Sequence, residues 1–144
     1  MDIALIIVIG LIGGVAVGLQ SPMAGIIGQK LGGTASSFIV HLGGMVLSAI
    51  LLVARGGENI QDWKTLPWYM LGAGVFGVIL YQTISVTLPR LGSTMTIMLI
   101  IVGQLLVGVL IDHFGWMGVA QHPITWTRAL GVLVLLVGGY LIAR

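Results

Sequence analysis

From Ile3 to Gln29 the sequence contains no Asp, Glu, Lys or Arg, and this uncharged run constrains the fold more than any other feature of the chain. At 1.5 Å of rise per helical residue, roughly 20 apolar residues cross the ~30 Å of hydrocarbon in a bilayer. Four more such runs follow. The spans are placed at residues 3–20 (or 3–30), 34–54, 67–86, 94–111 and 126–143. Their apolar residues are continuous rather than alternating, so helices are expected and barrel strands are not. The intervening stretches are too short for a soluble domain. The expectation is an all-α membrane protein, one five-helix transmembrane domain over residues 1–144.

Composition agrees. The chain is 58% hydrophobic and 7% charged, whereas a soluble domain carries about 25% charged residues to cover a wet surface. An ordinary soluble enzyme, a disordered tail and a nucleic-acid module are thereby excluded. The six Lys and Arg are scattered singly between Lys30 and Arg144, so the pI of 9.4 reflects few acids rather than a basic patch. No nucleic-acid partner is expected, and the lipid bilayer is the first partner. The chain has no cysteine, which removes disulfides, thiolate metal sites and cysteine nucleophiles together.

Punctuation supports the five spans. Residues 55–64 hold four of the ten charges and lead to Pro67, the mark of a loop followed by a helix start. Leu88-Pro-Arg-Leu-Gly-Ser93 reads as a tight turn, and His113–Thr125 as an uncharged interfacial connection. Trp63, Trp68, Trp116 and Trp126 all fall at expected span ends, as an aromatic belt requires. Gln20-Ser21-Pro22 either ends the first helix or kinks one that continues to Lys30; the uncharged run favours the longer, kinked form. A cleaved signal peptide is disfavoured by the leading Asp2 and by the four spans that follow.

Five spans put Arg55, Lys64 and Arg128 on one side of the membrane and Lys30, Arg90 and Arg144 on the other. Basic residues in short loops set orientation, and three against three gives no instruction. The tie is either an accident of few charges or a sign of dual topology, with copies inserting both ways. An odd number of spans makes oppositely inserted copies useful. Two such copies, paired as an antiparallel homodimer, form ten helices related as an inverted repeat, the plan of many secondary transporters.

Glycines and polar residues within the spans are the remaining signals. Gly10, Gly14 and Gly18 form a four-residue stripe suited to helix packing, and Gly108 fits the same role. Polar side chains inside a membrane cost free energy unless they meet a partner or a water-filled cavity. Thr34, Ser37, His41, Gly44 and Ser48 share one face of the second span. Tyr81 lies on a face with Gly74, Gly77 and Ser85, with Gln82 beside it; Gln104, Gly108 and Asp112 align at i, i+4, i+8. Asp112 reads as a solvated cap beside His113 or as a proton or cation site, and His41 as a titrating or a neutral hydrogen-bonding group. No span contains Glu, no acid sits mid-span, and the histidines lack metal-ligand spacing. No metal, cofactor or catalytic residue is expected, and the chain does not read as an enzyme. The Gly72-x-Gly74-x-x-Gly77 match to a dinucleotide fingerprint sits inside an apolar span and carries no such meaning.

The run from Gly92 to Gly115, containing Gly103-Gln104, Gly108 and Asp112, together with Arg128-Ala-Leu-Gly131 and Gly138-Gly-Tyr-Leu141, resembles the short five-helix bacterial branch of the drug/metabolite transporter superfamily. Leu19-Gln-Ser-Pro22 and Ser36-Ser-Phe38 fit the same branch. The resemblance spans essentially the whole chain. It implies a multi-pass protein of the bacterial inner membrane whose five helices are half of a ten-helix transporter. The chain lacks the first-helix glutamate of the small multidrug resistance relatives, which argues against their proton/drug antiport. The expected function is alternating-access transport of a small organic solute, with Gln20, His41, Tyr81, Gln82 and Gln104 lining the substrate site. The rival readings are a small dual-topology ion channel, such as those for fluoride, and a non-transporting accessory membrane subunit.

Overall fold

The computed structural model describes residues 2–142, all-helical apart from turns and connections. Ala143, the expected end of the fifth span, and Arg144, one of the basic residues counted above, lie outside the described residues. The chain divides into two compact units, Met1–Arg90 and Leu91–Arg144.

In the first unit, α1 runs unbroken over Ile3–Leu31, with the Asp2 side chain accepting from the Ala4 amide at its start. The longer form of the first span is thus the one adopted, with Pro22 inside the helix. Proline lacks an N–H and cannot bond the preceding turn; just before it, the Ser21 hydroxyl donates to the Val17 carbonyl at 2.9 Å. A single residue, Gly32, joins α1 to α2 (Gly33–Ala54), with φ 93° and ψ 152°. That backbone region is essentially closed to residues with a Cβ. The Ser36 hydroxyl crosses the hairpin to the Ala24 carbonyl at 2.6 Å, tying the two helices one turn beyond the connection. Gly56 and Gly57, both with positive φ, then lead into a 3-10 turn over Ile60–Thr65, a short α3 (Trp68–Leu71) capped by Pro67, and α4 (Gly74–Phe114).

Packing in this unit follows small residues. A Cβ on Gly25 would overlap Leu88, one on Gly28 would overlap Ser85, one on Gly33 would overlap Gln82, and one on Gly77 would overlap His41. Close backbone approach over glycine is the main source of helix association where lipid is as apolar as the side chains. Ala24, Tyr81, Ile84 and Leu88 form the buried apolar core, flanked by buried Ser21, Ser36 and Ser37. Every residue from Ile3 to Val17 and from His41 to Leu51 is exposed. Among the described residues, nothing lies within 4 Å of a Cβ placed on Gly10, Gly14, Gly18 or Gly108; the close approaches fall on other glycines.

An unbroken α4 of 41 residues would reach roughly 60 Å, about twice the hydrocarbon thickness. It is interrupted once, at Gly92, with φ 75° and ψ 171°. This corrects the expected turn over Leu88–Ser93. The helix continues through Pro89 to Leu91 and resumes at Ser93, so one glycine with positive φ supplies the whole interruption.

In the second unit, the later part of α4 ends at Gly115, which takes the left-handed conformation that commonly closes a helix. A 3-10 turn at Trp116–Gly118 and an extended segment lead to α5 (Trp126–Ile142). Gly139 of α5 sits against Met98 of α4. Trp116 stacks on Phe114, with ring centroids 5.0 Å apart. Trp68, Trp116 and Trp126 lie at or just outside α-helix ends, and Trp63 lies in the 3-10 turn between α2 and α3.

Candidate functional site

The first unit gathers three of the five expected site residues. His41 Nδ1 lies 2.7 Å from the Ser37 carbonyl oxygen and 3.2 Å from the Ser37 hydroxyl. A carbonyl only accepts, so Nδ1 carries the proton and a neutral ring keeps its lone pair on Nε2. The Nε2 edge sits over Gly77, where a Cβ would come within 2.5 Å of it. Tyr81 meets the imidazole edge-on, with centroids 5.3 Å apart and planes at 85°. The Gln20 side chain lies beside the Tyr81 hydroxyl. Gln20, Tyr81, His41 and Ser37 thus form a polar chain across α1, α4 and α2.

Tyr81 and Ser37 are buried, while Gln20 and His41 are exposed, so the chain has a fixed interior and an open edge. Gln82, one residue from Tyr81, points elsewhere. Its amide donates to Thr34 Oγ1 at 2.6 Å and its oxygen packs on Gly33. That bond ties α4 to the first turn of α2.

Gln104 belongs to the second unit. It lines a cavity of about 420 Å³ with Ile101, Leu105, Gly108, Val109, Asp112 and Arg128. Gly108 leaves open space between Gln104 and Asp112, because nothing lies within 4 Å of where its Cβ would be. At the mouth, Arg128 Nη2 donates to Asp112 Oδ2 at 2.5 Å, and Nη1 donates to the His122 carbonyl at 2.6 Å. Asp112 is therefore an ion-pair partner rather than a lone cap. The same region is tied by the His122 amide to the Asp112 carbonyl at 2.7 Å, Gln121 to the His113 carbonyl at 2.9 Å, and the Ile124 amide to His113 Nδ1 at 3.1 Å. The connection over His113–Thr125 is a clasp with defined hydrogen bonds.

Three contributions escape sequence reasoning. Arg128 counts only as a loop charge until it is seen on Asp112; opposite charges at facing ends of consecutive spans were the available signal. Ser36 bonds across the hairpin where its neighbour Ser37 holds His41, and nothing in the Ser-Ser pair distinguishes the two roles. Thr96 is buried with its hydroxyl unpaired, which no pattern announced.

The apolar, helical character of the chain agrees with the comparison to known families. The profile of the family described as "Putative inner membrane exporter, YdcZ" matches residues 5–141. The chain belongs to that family. It is accordingly a multi-pass inner-membrane protein of a drug/metabolite transporter-related family, as the run from Gly92 to Gly115 led one to expect. No curated protein and no solved structure gives a significant match.

Proposed function

We propose that the protein is a secondary transporter of a small polar organic solute, working by alternating access as an antiparallel homodimer of oppositely inserted copies. The observation that carries this reading is the polar chain Gln20–Tyr81–His41–Ser37 inside otherwise apolar helices of a chain whose family is described as exporters. Polar groups kept at membrane depth are costly and mark solute pathways. Gln20, His41, Tyr81 and Gln82 offer hydrogen bonds and a ring face within the first unit, and Gln104 offers an amide within the second.

The dimer rests on two supports. The basic residues divide three and three between the two sides, and no described residue lies within 4 Å of a Cβ placed on Gly10, Gly14 or Gly18, which leaves that stripe free to meet a second copy. Ten helices in inverted arrangement can interconvert between two mirror-related states.

The experiment is counterflow in proteoliposomes with a library of small organic solutes. A transporter exchanges at least one of them, and Tyr81→Phe lowers that exchange severalfold while leaving the His41 ring contact in place. No exchange of any compound by folded protein contradicts the reading. Flux far above roughly 10³ per second, beyond ordinary turnover, identifies a channel instead.

A further inference from the structure

Arg128 lines two cavities of the second unit that have no other lining residue in common. One is the Gln104 cavity; the other, of about 470 Å³, is formed with His122, Pro123 and Thr125. A guanidinium has five N–H donors, and Arg128 uses one on the His122 carbonyl and one on Asp112 Oδ2. Among the described residues, the other three have no partner. The pair with Asp112 is a single N–H to oxygen contact between side chains 36% and 29% exposed. A half-exposed pair of that kind is weak, whereas a planar carboxylate that meets the guanidinium through two parallel bonds is held more strongly.

We propose that Arg128 recognises a carboxylate borne by the transported solute, and that Asp112 occupies that place when no solute is bound. The inference rests on the transport reading above and adds the substrate class to it. A solute anchored at Arg128 lays the rest of its body over the open space at Gly108, between the apolar walls Ile101, Leu105 and Val109. Its far end reaches Gln104, eight residues along the helix from Asp112, a distance of about 12 Å. The matching molecule is a monocarboxylate with an apolar middle and a hydrogen-bonding group at the other end. The released Asp112 turns to the solvent it already partly faces.

The test measures equilibrium binding of 5-(4-hydroxyphenyl)pentanoate and of its primary amide to the full chain, in maltoside micelles and in nanodiscs of phosphatidylglycerol. Wild type is expected to prefer the carboxylate at least tenfold. Asp112→Asn, which removes the internal competitor, tightens carboxylate binding severalfold, and Gly108→Leu, which fills the groove, abolishes binding of both compounds. Arg128→Gln removes the preference; Asp112→Asn/Arg128→Gln, which leaves no unpaired charge, does the same and guards against misfolding of the single variant.

Equal binding of carboxylate and amide by wild type, a preference that survives Arg128→Gln, or no binding by wild type and Asp112→Asn overturns the proposal. So does loss of carboxylate binding in phosphatidylglycerol discs alone, which would assign Arg128 to a lipid headgroup phosphate. Flux of a library solute that Arg128→Gln leaves unchanged removes this inference and keeps the transport reading. Intact carboxylate binding with no flux of any solute does the reverse.

Discussion

Gly13 and Gly28 lie on the same helix, and an alanine at each tests what holds the first unit together. Nothing lies within 4 Å of a Cβ placed on Gly13. A Cβ on Gly28 meets the Ser85 hydroxyl, comes to 2.7 Å from Ser85 Cβ and 3.4 Å from its Cα. Rotating the serine moves only the hydroxyl, so the Cβ overlap can be relieved only by moving α1 and α4 apart. Overpacking of this kind costs typically about 1–3 kcal/mol. Alanine also gains up to about 1 kcal/mol of helix propensity over glycine, but that gain is common to both sites and cancels in the comparison. Gly28→Ala should therefore be less stable than Gly13→Ala by about 1–3 kcal/mol, a roughly 5- to 150-fold difference in the unfolding constant.

Reversible unfolding in bicelles by titration with denaturing detergent measures the difference. Ser85→Gly removes the two overlapping atoms and leaves only the ordinary 3.4 Å contact. In a double-mutant cycle it should restore most of the loss in Gly28→Ala, although alone it is destabilising. Gly28→Ala as stable as Gly13→Ala, or no coupling with Ser85→Gly, would refute the close approach of α1 and α4.

Two other expectations follow from the same structure. Ser36→Ala removes the buried bond to the Ala24 carbonyl and should lower stability by about 0.5–1.5 kcal/mol, towards the lower figure because polar pairs in membrane helices average about 0.6 kcal/mol; no change in unfolding would show the bond to be idle. Reporter fusions at the C-terminus should reveal both orientations, and two lysines added to the loop between Arg55 and Thr65 should lock one of them, whereas a wild type in one orientation removes the dual-topology dimer.

The number and rough ends of the helices were legible because lipid imposes a simple condition, a long run without charge. The sites at which α1, α2 and α4 touch were not. Gly10, Gly14 and Gly18 carry the regular spacing, yet the close approaches fall on Gly25, Gly28, Gly33 and Gly77, because what matters is a facing partner and spacing on one helix does not reveal it. The reach of α1 through Pro22 was readable from its uncharged run, whereas that of α4 through Pro89 was not, since proline stops helices in water more firmly than in lipid. Among the polar residues, His41 and Tyr81 were readable from their depth in apolar runs. Their pairing with each other, and that of Arg128 with Asp112, depended on contacts between different helices.

The central claim is that the polar residues border a watery path rather than merely staple helices together. The chain has no cysteine, so single cysteines report without background. In membrane vesicles, Gln104→Cys and Gln20→Cys should react with a membrane-impermeant thiol reagent much faster than Leu106→Cys, which lies two residues on and so on the opposite face of the helix from Gln104. Gln104→Cys and Gln20→Cys as inert as Leu106→Cys would contradict the account.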